Sequence, residues 1–177
     1  MKKKKTSKRT EGRAKRPAKK AAKKAAPIPA GYRNVTPYIV CRNASSAIDF
    51  YKRAFGAKEK VRMPGPDGKV MHAEIKIGDS MVMLSDEMPE FGALSPETIG
   101  GSPQSVFLYV KNVDEVASKA VAAGATVVMP VADMFWGDRY GKFKDPYGHQ
   151  WQIATHKEDL TAKEMAKRQQ AAMTQGQ

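Results

Sequence analysis

His72 and Glu74 stand two apart in the run Val70–Ile77, so on an extended strand their side chains share one face. A carboxylate that close to an imidazole raises its pKa and makes an acid/base pair, which marks the two as weak catalytic candidates. The plainer reading is a solvated polar stripe. A second constellation is Trp136, Asp138, Arg139 and Tyr140, where Arg139 could grip an anionic group beside an aromatic wall, or Asp138 and Arg139 could simply brace a turn. As a metal site, His72 and Glu74 supply two ligands only. The other histidines, His149 and His156, are too far apart in the chain to promise a cluster.

The elements that must position these residues are legible from punctuation. Between Asp133 and Thr155 the chain reads DMFWGDRYGKFKDPYGHQWQIAT, aromatic residues alternating with polar ones and cut by glycines and a proline. Asp145-Pro146-Tyr147-Gly148 is a tight turn, and Gln150–Thr155 is the outgoing strand, with Trp151 and Ile153 on one face and Gln150 and Gln152 on the other. Earlier, Val35–Cys41 reads as a strand with Thr36, Tyr38 and Val40 on one face. A helix capped by Asn43 or Ser45 follows, with the stripe Ala47, Ile48, Tyr51, Ala54 and Phe55 and a stop at Gly56. Three extended pieces come next: 58–63, 70–77 and 80–85. After a Pro/Gly-rich loop over 86–103 the order repeats, as strand 104–110, helix 114–123, strand 126–132, the aromatic stretch to about 144 as a further strand, and strand 150–155. The result is βαβββ twice. Residues 157–177 open with Thr161 and Glu164 in a capping pattern and continue as a mostly polar helix to about Met173.

Charge is unevenly placed along the 177 residues. Residues 1–26 hold 13 of the 31 Lys and Arg and one acid, Glu11, so the rest of the chain is nearly neutral despite a net charge of +13. Residues 1–30, rich in Lys, Ala and Pro, are expected to be a disordered basic tail. It either aids solubility or binds nucleic acid non-specifically through phosphate, and without aromatics or a fold it cannot read sequence. The single cysteine, Cys41, excludes an internal disulfide and suits a small buried apolar role. With no apolar run of bilayer length and no apolar signal core, a cytoplasmic protein without a membrane partner is expected.

The segments AIDFYKRAFGA, MHAEIKIGDSMVMLSDE, GGSPQSVFLYVKNVDE, AVAAGATVVMPV and FWGDRYGKFKDPYGHQWQIAT, in that order, resemble the vicinal oxygen chelate superfamily of glyoxalases, bleomycin-resistance proteins and extradiol dioxygenases. More narrowly they are similar to its PhnB-like subgroup, also labelled demethylubiquinone-methyltransferase-like. The resemblance covers about 32–156 and implies an α+β fold of two modules, about 34–86 and 104–156, whose curved mixed sheet encloses a cavity, commonly in a homodimer.

Metal-dependent members hold a divalent ion on four side chains, usually His, Gln and Glu, and the resemblance puts those positions at Thr36, about Met83, Ser105 and Gln152. Only Gln152 is of a ligating type, and Val82 or Leu84 in place of Met83 is no better. The expectation is therefore no metal and no cofactor, with a small organic ligand held by Thr36, Tyr38, Ser105, Phe107, Trp136, Arg139 and Gln152. Tyr109 and Gln150 fall on the same strand faces. The competing expectations are a metal-dependent lyase, isomerase or dioxygenase using His72 and Glu74, and a nucleic-acid-associated protein acting through the tail.

Overall fold

The computed structural model describes residues 25–175. Residues 1–24, which make up most of the basic tail expected over 1–30, lie outside them. The element order is β1 (Tyr38–Cys41), α1 (Ala44–Phe55), β2 (Lys58–Pro64), β3 (Val70–Ile77), β4 (Ser80–Asp86), α2 (Pro96–Ile99), β5 (Ser105–Tyr109), α3 (Val113–Ala122), β6 (Thr126–Asp133), β7 (Asp138–Lys144), β8 (Gln150–His156) and α4 (Ala162–Gln175). The strands form two four-stranded sheets, β1-β4-β3-β2 and β5-β8-β7-β6. Each has one parallel pair, β1 with β4 and β5 with β8, and is otherwise antiparallel. The duplicated βαβββ order is thus a duplicated sheet topology. Among the described residues no helix is long and apolar enough to cross a membrane.

Local chemistry explains the helix ends. Asn43 caps α1 by accepting from the Ser46 N–H at 2.9 Å, Gly56 closes it in the left-handed region, and Asn112 caps α3 in the same manner as Asn43. At α4 the Glu164 carboxylate takes the Thr161 N–H at 2.9 Å while the Thr161 hydroxyl takes the Glu164 N–H at 3.3 Å, the reciprocal pair read from the sequence. β1 differs from expectation. It begins at Tyr38, because Pro37 has no N–H to give a ladder, and Thr36 lies outside the strand with its hydroxyl donating to the Arg33 carbonyl at 3.4 Å. The loop expected over 86–103 contains the short helix α2, capped by Ser95.

One core serves both halves. α1 buries Phe50 as well as Ala47, Ile48, Tyr51 and Ala54 of the stripe expected from its spacing, with Phe55 partly buried, because it packs on its own sheet and against α3 and β8. Tyr51 and Phe55 lie 5.3 and 4.6 Å, centroid to centroid, from Trp151 on β8. Full burial of each such ring is worth about 1.5–3 kcal/mol. Asp145, 2% exposed, fastens the same junction. Its Oδ2 accepts from Tyr51 Oη at 2.7 Å and Trp151 Nε1 at 2.9 Å, and its Oδ1 from the Tyr147 and His149 N–H groups, both at 2.9 Å. The turn of the second half is therefore tied to the helix of the first.

Candidate functional site

With helices on one side of each sheet, the opposite faces form two shallow cups. Register puts Tyr38 and Glu74 beside Met83, and Val40 beside Ser85, on the first. On the second, Ser105, Phe107 and Tyr109 pair with Gln150, Gln152 and Ala154, while Lys142, Tyr140 and Asp138 flank them from β7. Where β1 and β5 come together, a cleft of about 540 Å³ opens. Tyr38, Val40, Ser105, Phe107, His149 and Gln150 line it, and Leu94, Pro96 and Ile99 of the connecting loop wall it off. Gln150 Oε1 is buried without a hydrogen-bond partner, a group that ordinarily finds one.

Three of the residues expected to bind ligand, Tyr38, Ser105 and Phe107, meet in this cleft, together with Gln150. The others go elsewhere. Thr36 lines a separate cavity of about 610 Å³ over the first cup, with Tyr32, Glu74 and Met83. Gln152 is engaged internally: its Nε2 donates to Ser105 Oγ, and its Oε1 accepts from Tyr140 Oη at 2.8 Å. Arg139 points to the helix side, where it grips Asp114 at 2.7 and 2.8 Å and Asp133 at 3.2 Å, so it braces β7 against the start of α3. Trp136 Nε1 donates to Asp138 Oδ2 at 3.2 Å. His72 Nε2 lies 3.3 Å from Glu74 Oε1 on the first cup, as strand spacing requires, and its ring is 5.8 Å from that of Tyr38.

The four positions that hold metal in metal-dependent relatives offer a poor donor set. Thr36 and Met83 face one cavity, Ser105 and Gln152 are bonded to each other on the second sheet, and a thioether is a weak ligand for hard divalent ions. The residues present do not fit that group. Among the described residues no three His, Cys, Asp or Glu side chains converge as ligands.

Cys41 is fully buried, and burial, followed by the charge of Asp145, pushes its thiol well above the ordinary range. That makes it an inert packing residue. His149, whose Nε2 donates to the Val40 carbonyl at 3.0 Å, stitches the second half to β1.

One constellation escaped the sequence reading. Asp138, 5% exposed, accepts from Tyr109 Oη at 3.0 Å and from Trp136 at Oδ2, and pairs with His156 Nδ1 at 2.8 Å through Oδ1. Counting outward from the Asp145–Gly148 turn along two antiparallel strands puts Asp138 opposite His156, so the signal was present in the spacing. Phe107 stacks on Tyr140 at 6.0 Å and contacts Tyr109 at 4.8 Å, which makes a continuous aromatic strip along this face.

Residues 34–153 match the Glyoxalase/Bleomycin resistance protein/Dioxygenase superfamily. The chain belongs to that superfamily. An uncharacterized protein of Mycobacterium tuberculosis is 42% identical over 143 residues, 79% of this chain and 82% of its own length. Among solved structures, TioX from Micromonospora is 27% identical with a TM-score of 0.56, covering 70% of this chain and 98% of TioX. The PhnB protein from Bacillus cereus, at 19% identity and a TM-score of 0.55 over 70% of this chain and 99% of that one, shares the fold. PhnB-like proteins are thus one superfamily neighbour among several.

Proposed function

We propose that this superfamily member binds a small planar organic ligand in the cleft at the seam of its two halves, by stacking and hydrogen bonding instead of chelation. The observation that carries the reading is the unpartnered, buried Gln150 Oε1 in a cleft whose aromatic residues are Tyr38 and Phe107. A ligand N–H or O–H would satisfy that oxygen while its ring covers Phe107, which is 44% exposed. The order of motifs from AIDFYKRAFGA to DPYGHQWQIAT supports a place near the PhnB-like subgroup. A single cysteine, with no partner in the chain for a disulfide, suits a reducing cytoplasm.

Exposed Val61, Met63 and Met71 on the first half support pairing with a second copy of the chain. The test of the ligand reading is a thermal-shift screen of planar aromatic amides and phenols on the full chain. Hits whose stabilisation disappears in Gln150→Ala and Phe107→Ala support it; hits unaffected by both substitutions refute it.

The concentration of 13 basic residues in 1–26 favours a second reading, non-specific nucleic-acid association. Removing residues 1–30 should abolish salt-sensitive retention on DNA, and unchanged retention would dismiss the idea.

A further inference from the structure

We propose that the cavity of about 610 Å³ over the first sheet binds a small organic ammonium ion with an apolar body, held by the Glu74 carboxylate under a strap formed by residues 27–33. This cavity shares no lining residue with the seam cleft. Five of its nine lining residues, Pro27, Ile28, Pro29, Tyr32 and Arg33, precede residue 34, where the match to the superfamily begins, so most of the wall lies outside the matched span.

The strap is turned by its own sequence. The Tyr32 N–H reaches the Pro29 carbonyl at 3.1 Å, and Gly31 between them takes a φ of +88°, the left-handed value that a type II turn needs at its third residue. That reversal sets Ile28 and Tyr32 on the same cavity. Arg33 then ties the strap to the β3–β4 turn through Asp79, at 3.3 Å, with both side chains mostly exposed. A surface pair of this kind is weak, so the strap can lift to admit a guest and settle on it.

Glu74 is the reason for a cation. Its side chain is 19% exposed, and among the described residues its one basic partner is His72 Nε2, which lies 3.3 Å from Oε1 and is a countercharge only when protonated. The guanidinium in the cavity wall, that of Arg33, is committed to Asp79. A sheltered carboxylate with no Lys or Arg beside it favours a positive group from solution.

Tyr32 offers the second contact. Its hydroxyl lies near enough to Glu74 for the carboxylate to push its pKa up to about 12, yet Oη is buried and makes no well-formed hydrogen bond. Buried hydroxyls ordinarily find a partner. An ammonium group seated between Glu74 Oε2 and Tyr32 Oη donates to both, while Ile28, Pro29 and Met83 cover its apolar body. A neutral hydroxyl reaching the same atoms would leave the charge of Glu74 without a counterion.

The test is a titration of the isotope-labelled full chain with cyclohexylamine, protonated at neutral pH, beside cyclohexanol of the same shape, followed by amide chemical shifts. The expected result is saturable shifts at Tyr32, Thr36, Glu74 and Met83, with the amine bound at least about tenfold more tightly than the alcohol, the factor for a charge-assisted contact. Glu74→Gln should erase that preference. Tyr32→Phe, on the strap and outside the core, should weaken the amine about threefold, the loss of one neutral hydrogen bond. Gln150→Ala and Phe107→Ala should leave amine binding unchanged. No binding of the amine, equal binding of amine and alcohol, a preference that survives Glu74→Gln, or one lost in Gln150→Ala instead would overturn the site. The comparison of amine with alcohol needs no variant, so a Glu74→Gln chain that fails to fold leaves it decisive, and the cleft responds to different ligands and different substitutions.

Discussion

The Tyr51 hydroxyl donates to Asp145 Oδ2 at 2.7 Å across the boundary between the two halves of the chain. Both groups are buried, so the bond joins α1 to the β7–β8 turn where water cannot replace it. Tyr51→Phe should therefore cost about 1.5–3 kcal/mol, the range for a hydrogen bond to a charged group. Urea unfolding followed by tryptophan fluorescence and by circular dichroism should give one coincident transition shifted to lower urea. Separate transitions in the unsubstituted protein would show that the halves do not share a core.

The Glu87 carboxyl is held down to about 2 from an ordinary 4.5, first by the Thr98 hydroxyl and then by the Ser95 N–H, with which it bonds at 2.7 Å. These contacts shape the loop that walls the seam cleft. Since the folded value is depressed, the contribution is present above about 4.5 and lost as pH falls toward 2. Ligand affinity should weaken over that window, and Glu87→Gln should flatten the dependence; an affinity independent of acid would contradict it.

His156 runs the opposite way. Asp138 first, then Asp159, raises its pKa above the ordinary 6.5. A raised folded value stabilises the protein fully below 6.5, and the contribution disappears as pH climbs through the folded pKa. The thermal midpoint of the native chain should fall over that rise by more than that of His156→Gln, which a pH series of thermal melts checks.

Gly148 has φ near +86°, and a Cβ there would meet Pro96 Cβ at 2.8 Å. Gly148→Ala should destabilise by about 1–3 kcal/mol through backbone strain and displace the cleft wall at Pro96. Paired thermal melts and ligand titrations should show both losses together.

Arg139 offers the converse. Its pairs with Asp114 and Asp133 are exposed, so Arg139→Ala should cost at most about 1 kcal/mol and leave ligand affinity unchanged. A large loss of affinity would mean that the guanidinium reaches the ligand after all.

Most of the fold was legible because it follows from local signals: Asn43 and Gly56 bracket α1, the Thr161–Glu164 pair opens α4, and the Asp145–Gly148 turn fixes the register of β7 on β8. The site was less legible. Period two places Tyr38, Ser105 and Phe107 on strand faces, and the faces do converge, but Thr36 sits beyond a proline that delays the strand. Arg139 went to the wrong side in the binding reading because adjacent residues on a strand point to opposite faces: Tyr140 faces the cup and Arg139 the helix. The Asp145 knot was hidden for a different reason, since it joins Tyr51 to a residue 94 positions away and no local pattern announces such a contact.

The most direct measurement is the amide and side-chain chemical-shift map of isotope-labelled full-length protein titrated with a planar aromatic amide found in the screen. The account predicts shifts concentrated at Tyr38, Val40, Ser105, Phe107 and the Gln150 side-chain amide. Shifts confined to other surfaces, or a Gln150 amide that does not move while the ligand binds, would contradict it.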